Sequence, residues 1–102
     1  MAESQPSRVV KELRAAYLKS LAVKMTELAE ALKARQFSAI VRLGHQLKGS
    51  GRSYGLPEIS DLGARMEEAA ENRRLTVLEP LLAEFEATMN HVADDQPTSE
   101  KS

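Results

Sequence analysis

The stretch HQLKGSGRSYG, residues 45–55, decides how the chain is interpreted. It lies in a segment from about Phe37 to Tyr54 whose apolar residues recur with the period of a helix. A lysine stands three residues after the histidine of this stretch, and three glycines follow the histidine within ten residues. A glycine inside a helix costs about 0.5–1 kcal/mol relative to alanine. Helix formation alone therefore does not explain the glycines.

Helical geometry, at about 100° per residue, separates the two faces of this segment. Leu43, Leu47 and Tyr54 fall on the side opposite His45, with Ile40 close to them, and this side is predicted to face the core. His45 is therefore predicted to face solvent. Its neighbours on the exposed face are Ser38, Val41, Arg42, Lys48, Gly49 and Arg52.

The same helical geometry predicts different roles for the four glycines of this segment. Gly49 falls on the exposed face one turn beyond His45, where the missing side chain would let another molecule approach the imidazole. Gly44 and Gly51 flank the core side, where they would let a neighbouring helix pack closely. Gly55 is predicted to end the helix as the residue after the C-cap.

The chemistry of the exposed face favours a phosphoryl group. A solvent-exposed neutral imidazole is a nucleophile near neutral pH. Arg42, Lys48 and Arg52 would surround it with positive charge and offset the roughly two negative charges of a phosphoryl group. Gln46, not a carboxylate, follows His45, and the surroundings of the imidazole are expected to contain no acid, base or metal ligand. The site is predicted to hold a phosphoryl group while a partner supplies the catalytic machinery.

Three further segments have a helical period, and none alternates like a strand. The first runs from about Ser7 to Ala34, the third begins after Gly55 with Pro57 in its first turn, and the fourth begins near Thr76 as the expected N-cap. The apolar stripes are Val10, Leu13, Tyr17, Leu21, Met25, Leu28 and Leu32 in the first; Ile59, Leu62, Met66 and Ala69 or Ala70 in the third; and Leu78, Leu81, Phe85, Met89 and Val92 in the fourth.

Four amphipathic helices with short connections predict an all-α fold, an antiparallel up-down four-helix bundle over residues 1–93 with His45 exposed on the second helix. Residues 94–102 are polar and contain a proline, and they are predicted to form a disordered tail. A monomer is expected, because four helices close a bundle without a second chain.

Composition excludes several classes of function. The chain of 102 residues has no cysteine, which rules out disulfides and thiolate metal sites, and its two histidines are not spaced as metal ligands. A net charge of −1 argues against a general nucleic-acid binder or a polybasic membrane binder. No apolar run approaches the roughly 20 residues that span a bilayer, and no signal peptide is evident, so a cytoplasmic location is expected. His91, near the end of the last helix, is interpreted as structural.

The segment HQLKGSGRSYGLPEISDLGARMEEA resembles the histidine-containing phosphotransfer (HPt) domain of multistep phosphorelays. The preceding residues 28–44, LAEALKARQFSAIVRLG, are similar to the helix-loop-helix that comes before the histidine in this family. The residues that match the motif of the family are His45, Leu47, Lys48, Gly49, Ser50 and Gly55, with the pair Met66-Glu67 at the end of the motif.

The resemblance implies that His45 carries a phosphoryl group, accepted from the aspartate of one receiver domain and transferred to the aspartate of another. It also implies that Lys48 stabilises the phosphoryl charge and that Gly49 admits the receiver. Val41, Arg42 and Arg52, on the same exposed face, are expected to contact the partner. Mg²⁺ is expected on the receiver, with no cofactor and no autokinase activity in this chain, and a hybrid histidine kinase is a further expected partner.

Two other interpretations stay open from the sequence. The dimerisation and phosphoacceptor part of a histidine kinase typically has an acidic residue just after the histidine and a proline a few places on, and Gln46 and Gly49-Ser50 do not match this pattern. A helical adaptor that binds a signalling partner without chemistry would need no reactive histidine. Whether the chain is free-standing or part of a longer protein is also open.

Overall fold

The computed structural model describes residues 4–94 and, within them, the side chains of residues 12–92. Four helices occupy this range: α1 (Ser4–Lys33), α2 (Phe37–Ser53), α3 (Pro57–Glu71) and α4 (Leu75–Asp94). Residues 34–36, 54–56 and 72–74 connect them, and each helix packs on two others in the cyclic order α1, α2, α3, α4. The prediction of an all-α antiparallel four-helix bundle is confirmed.

The bounds differ from the predicted ones at both ends of the bundle. α1 begins at Ser4, three residues before the predicted start near Ser7. α4 continues to Asp94, one residue into the predicted tail, and residues 95–102 lie outside the described range. Among the described residues, no helix combines the length and the apolar character needed to cross a membrane.

The core is built from the predicted stripes, with two corrections. Leu13 is 51% exposed and Tyr54 is 41% exposed, so neither belongs to the core. Tyr17 already packs at the C-terminal end of α2, so Leu13, one turn earlier, lies beyond the end of that helix. Val10 lies outside the described side chains. The buried hydrophobic residues are Tyr17, Leu21, Leu28, Ala31, Ile40, Leu43, Leu47, Leu56, Ile59, Leu62, Met66, Ala69, Ala70, Leu78, Leu81, Phe85 and Val92.

Tyr17 connects α1 to α2. Its hydroxyl lies 2.7 Å from the Ser50 hydroxyl in a hydrogen bond, and its ring stacks on that of Tyr54 with centroids 4.2 Å apart. Burial raises the pKa of the Tyr17 phenol, although the hydrogen bond with Ser50 opposes the shift. The phenol is therefore neutral at physiological pH, and the contact holds the C-terminal half of α2 against α1.

α2 ends in the motif predicted for Gly55. The N–H of Gly55 donates to the Arg52 carbonyl at 3.2 Å, and the N–H of Leu56 donates to the Gly51 carbonyl at 2.8 Å. Gly55 has a φ of +74°, the left-handed conformation that a glycine adopts at little cost.

α1 and α3 end in the same hydrogen-bond pattern, but with arginine in the left-handed position. Arg35 has a φ of 58° and donates its N–H to the Leu32 carbonyl at 3.1 Å. Arg73 has a φ of 55° and donates to the Ala70 carbonyl at 3.1 Å. A residue with a Cβ costs roughly 1–2 kcal/mol in this conformation, so neither arginine is there for the stability of the turn.

Replacing these arginines by glycine is expected to stabilise the fold. Arg35→Gly should raise the free energy of unfolding by about 0.5–1 kcal/mol, because the relief of backbone strain exceeds the entropy that glycine adds to the unfolded chain. In a domain of this size, the melting temperature should rise by about 2–8 °C, measured by circular dichroism. Arg74→Gly is the matched control, since Arg74 has no positive φ and should not gain. A lower melting temperature for Arg35→Gly would contradict the assignment of strain.

The predicted N-cap of α4 is wrong. The helix begins at Leu75, so Thr76 lies within its first turn. The N–H groups of Val77 and Leu78 both donate to the Arg74 carbonyl at 3.0 Å, so the helical hydrogen bonds start from the turn centred on Arg73. A backbone turn, rather than a capping side chain, therefore decides where α4 starts, and Pro80 lies inside the helix.

α2 and α3 approach each other through glycine. A Cβ built on Gly51 would lie 2.5 Å from the backbone nitrogen of Ser60, and one built on Gly44 would lie 2.8 Å from the Gly63 oxygen. The predicted role of Gly44 and Gly51 in close packing is confirmed. Gly63, to which the sequence analysis gave no role, completes the contact from α3: its Cβ would lie 2.5 Å from the backbone nitrogen of Lys48.

Candidate functional site

His45 projects from the middle of α2 into solvent. Its side chain is 69% exposed, because Leu43 and Leu47 of the same helix are buried on the opposite side. The predicted orientation of the imidazole is confirmed, and no helix of the described bundle covers its approach.

Glu67 of α3 lies beside the imidazole. Its Oε2 atom is 3.3 Å from Nδ1 of His45, and its Oε1 atom is 3.5 Å from Nζ of Lys48. The Glu67 side chain is only 19% exposed, whereas His45 and Lys48 are largely open to solvent. The expectation that no acid lies near His45 is wrong, because the acid comes from the neighbouring helix.

The glycine contact between α2 and α3 explains how Glu67 reaches His45. A Cβ built on Gly44 would lie 2.8 Å from the Glu67 backbone nitrogen and 3.2 Å from its Cα. Because Gly44 and Gly63 both lack a side chain, the α3 backbone lies directly against the turn of α2 that precedes His45. The close packing therefore brings the carboxylate to the inner nitrogen of the ring.

The contact with Glu67 distinguishes the two ring nitrogens of His45. A carboxylate beside Nδ1 favours the tautomer with the proton on Nδ1. Nε2 then has a free lone pair, and it is the ring nitrogen that faces away from α3. The arrangement leaves Nε2 open to a second molecule.

The predicted partner-binding residues occupy different surroundings. Gly49 is exposed, and a Cβ built on it would meet nothing within 4 Å, so the surface one turn beyond His45 is open. Arg52 lines a groove between α2 and α3 together with Lys48 and Asp61. Val41 is half-buried against the core, and Arg42 is exposed. Of the three predicted cations, Lys48 is the one that shares a contact with His45 through Glu67.

Comparison with protein families matches residues 12–95 to the Hpt domain. The chain belongs to the Hpt family. This match covers His45, Lys48, Gly49 and Glu67 together with α2 and α3, and it confirms the resemblance on which the sequence analysis relied. No curated protein and no solved structure gives a significant match to the chain.

As an Hpt domain, the chain has a phosphotransfer role in phosphorelays, and Hpt domains interact with receiver domains. Within the described residues of this Hpt domain, no group of three or more histidine, cysteine, aspartate or glutamate side chains could hold a metal ion. His91, the second histidine, lies in the last turn of α4 and not on α2.

Proposed function

We propose that this Hpt domain is a phosphorelay intermediate that accepts a phosphoryl group on Nε2 of His45 from a receiver aspartate and transfers it to the aspartate of another receiver. The observation that carries the proposal is the exposed imidazole of His45 with its Nδ1 against the Glu67 carboxylate. A histidine that serves the packing of the core would be buried. A histidine that serves only solubility would have no need of a carboxylate from a second helix.

The transfer step follows from this geometry. The lone pair of Nε2 attacks the phosphorus of the acyl phosphate, the N–P bond forms, and the P–O bond to the aspartate breaks with the carboxylate as leaving group. The proton stays on Nδ1, where the Glu67 carboxylate offsets the positive charge that develops on the ring. Reversal of the same step on a second receiver frees His45.

Lys48 would stabilise the phosphoryl charge after leaving Glu67. Its ammonium lies 3.5 Å from the Glu67 carboxylate and is itself 46% exposed, and an ion pair at a protein surface contributes only about 0–1 kcal/mol. A dianionic phosphoryl group on the adjacent imidazole would therefore compete well for the lysine. Glu67 thus orients the imidazole before transfer and releases Lys48 after it.

The receiver supplies what this chain does not. Mg²⁺ would be bound by the receiver, and the protein would act without a cofactor of its own and without autokinase activity. We propose that the receiver contacts Val41, Arg42, Gly49 and Arg52, and that the protein acts as a cytoplasmic monomer. A hybrid histidine kinase could carry one of the receivers.

The test is a phosphotransfer profile. Receivers of the source organism are phosphorylated on aspartate, mixed with the protein and Mg²⁺, and label is followed on the Hpt chain. We expect an acid-labile, alkali-stable label that moves on to a second receiver. Binding without any label would favour the adaptor interpretation, and a stable dimer by size exclusion would favour the kinase fragment.

Loss of the Glu67 carboxylate is expected to slow transfer. Glu67→Ala removes a contact worth about 0.5–1.5 kcal/mol, so the rate of His45 phosphorylation by phosphoramidate should fall by about two- to tenfold. Glu67→Gln keeps an acceptor for Nδ1–H and should lose less. Glu68→Ala removes an exposed neighbouring carboxylate and serves as the control. Equal rates for Glu67→Ala and Glu68→Ala would show that Glu67 does not orient the ring.

A bulky side chain at position 49 is expected to block the receiver selectively. Gly49→Leu should slow transfer from a receiver by about 10–100-fold, because a side chain there fills the approach to His45 at a cost of about 1–3 kcal/mol. Gly49→Ala should have a smaller effect. Phosphoramidate is small enough to reach His45 in both variants, so its reaction should be unchanged. If both donors slow equally in Gly49→Leu, the open surface is not what admits the receiver.

A further inference from the structure

A cleft rich in arginine lies at the end of the bundle where α1 meets α2 and α3 meets α4. Arg35, Arg42 and Arg73 line it together with Phe37 and the rest of the first turn of α2, and its volume is about 470 Å³. No aspartate or glutamate is among the lining residues. We refer to this surface, defined by Arg35, Arg42 and Arg73, as the arginine cleft.

The three guanidinium groups are not neutralised by the fold. Among the described residues, no carboxylate forms an ion pair with Arg35, Arg42 or Arg73. Arg65 shows the contrasting case, since it pairs with Asp61 at 3.1 Å and with Glu84 at 2.8 Å. Arg73 instead lies over the Phe37 ring, with its guanidinium carbon 5.7 Å from the ring centroid, which restrains it at the cleft.

Arginine at positions 35 and 73 lowers the stability of the fold, because the backbone there is left-handed. Arg35 and Arg73 both adopt the left-handed conformation that Gly55 adopts at the equivalent position after α2. Glycine would serve the turns better, so the guanidinium groups have a purpose other than closing the helices.

The arginine cleft and the phosphotransfer site share helix α2. Arg42 lies one helical turn before His45 on the exposed side of α2, so a protein that covers His45 also approaches Arg42. α2 contains three lysine or arginine residues and no acid, whereas α4 contains four acids and neither lysine nor arginine. The net charge of −1 conceals this separation, which leaves the partner-facing helix positive.

We propose that the arginine cleft is an accessory docking site for acidic side chains of the receiver domain, beside the site of phosphoryl transfer. The proposal rests on the proposed function. The receiver suits the cleft because it must cover His45, and Arg42 of the cleft lies one helical turn away from that residue. Unpaired guanidinium groups attract an acidic surface at long range, and at contact each can donate two parallel hydrogen bonds to one carboxylate.

The test replaces Arg35 and Arg73 by glycine, which adopts their left-handed backbone conformation at little cost. In Arg35→Gly/Arg73→Gly, transfer from the receiver that labels His45 fastest in the profile should fall about tenfold in kcat/KM at low salt, mainly through KM. The dependence of the rate on salt should also weaken. Reaction of His45 with phosphoramidate should stay unchanged. Arg35→Lys/Arg73→Lys keeps both charges but not the bidentate geometry, so it should lose less of the rate than the glycine variant and keep the salt dependence.

Lys19→Gln/Arg74→Gln is the control, because it removes the same charge from exposed positions outside the cleft. If the glycine variant transfers as fast as wild type at every salt concentration, or if the control slows as much, the arginine cleft is not a docking site. If the wild type takes no label from any receiver but reacts with phosphoramidate, the proposed function has failed instead.

Discussion

His45→Gln is expected to abolish phosphoryl transfer from every receiver while leaving the fold intact. The amide of glutamine has no nucleophilic lone pair comparable to that of Nε2, so the rate should fall below about one thousandth of the wild-type rate. The side chain is 69% exposed, and a substitution at such a position changes the free energy of unfolding by about 0.5 kcal/mol or less. Transfer is measured by label on the chain, and stability by urea denaturation.

The control for His45→Gln is the other histidine. His91→Gln leaves α2 untouched and should accept phosphoryl groups at the wild-type rate. If His45→Gln is labelled as well as wild type, or if label moves to His91, another residue is the carrier. If His45→Gln unfolds, the imidazole has a structural role that its exposure does not suggest.

Gly63→Ala is expected to destabilise the protein by about 3 kcal/mol or more, a large part of the 5–15 kcal/mol that holds a typical domain together. The added Cβ would lie 2.5 Å from the Lys48 backbone nitrogen and 2.6 Å from the Gly44 oxygen. Because both neighbours are backbone atoms, no side chain can rotate away, and α2 and α3 must separate. The measurement is the urea midpoint by circular dichroism.

The matched control for Gly63→Ala is Gly49→Ala. A Cβ at position 49 meets nothing within 4 Å, so alanine should stabilise α2 by about 0.5–1 kcal/mol. The two substitutions add the same methyl group to the same bundle and should have opposite signs. If Gly63→Ala is as stable as wild type, the helices are not held at the distance the structure shows. Because the same contact brings Glu67 to His45, Gly63→Ala should also slow transfer in whatever fraction remains folded.

The sequence predicted the parts of the site that lie on one helix. The period of α2 was enough to orient His45 towards solvent, Gly49 beside it, and Gly44 and Gly51 towards a neighbouring helix. These inferences need only the geometry of a single helix, which is the same in every protein.

The geometry of a single helix does not predict contacts made by a second helix, such as the contact of Glu67 with His45. Glu67 lies 22 residues after His45 in the sequence, and nothing in the periodicity of α2 or α3 says which turns of the two helices meet. A glycine at position 63, four residues before an acid at 67, could have suggested the contact, because the two share one face of α3.

The sequence also did not predict where the core ends or how charge is distributed over the surface. A helical wheel has no information on where a partner helix stops, so Leu13 and Tyr54 were assigned to a core that does not reach them. Net charge is a sum over the whole chain. A net charge of −1 therefore does not reveal the arginine cleft, which is formed by residues of two separate turns.

The most direct test of the account is to identify the phosphorylated nitrogen. The protein, with nitrogen-15 in its histidine rings, is phosphorylated by a receiver with Mg²⁺ and observed by nuclear magnetic resonance. The account predicts an N–P bond at Nε2 of His45, with the proton retained on Nδ1. A bond at Nδ1, a phosphoryl group on His91, or no phosphohistidine at all would contradict it.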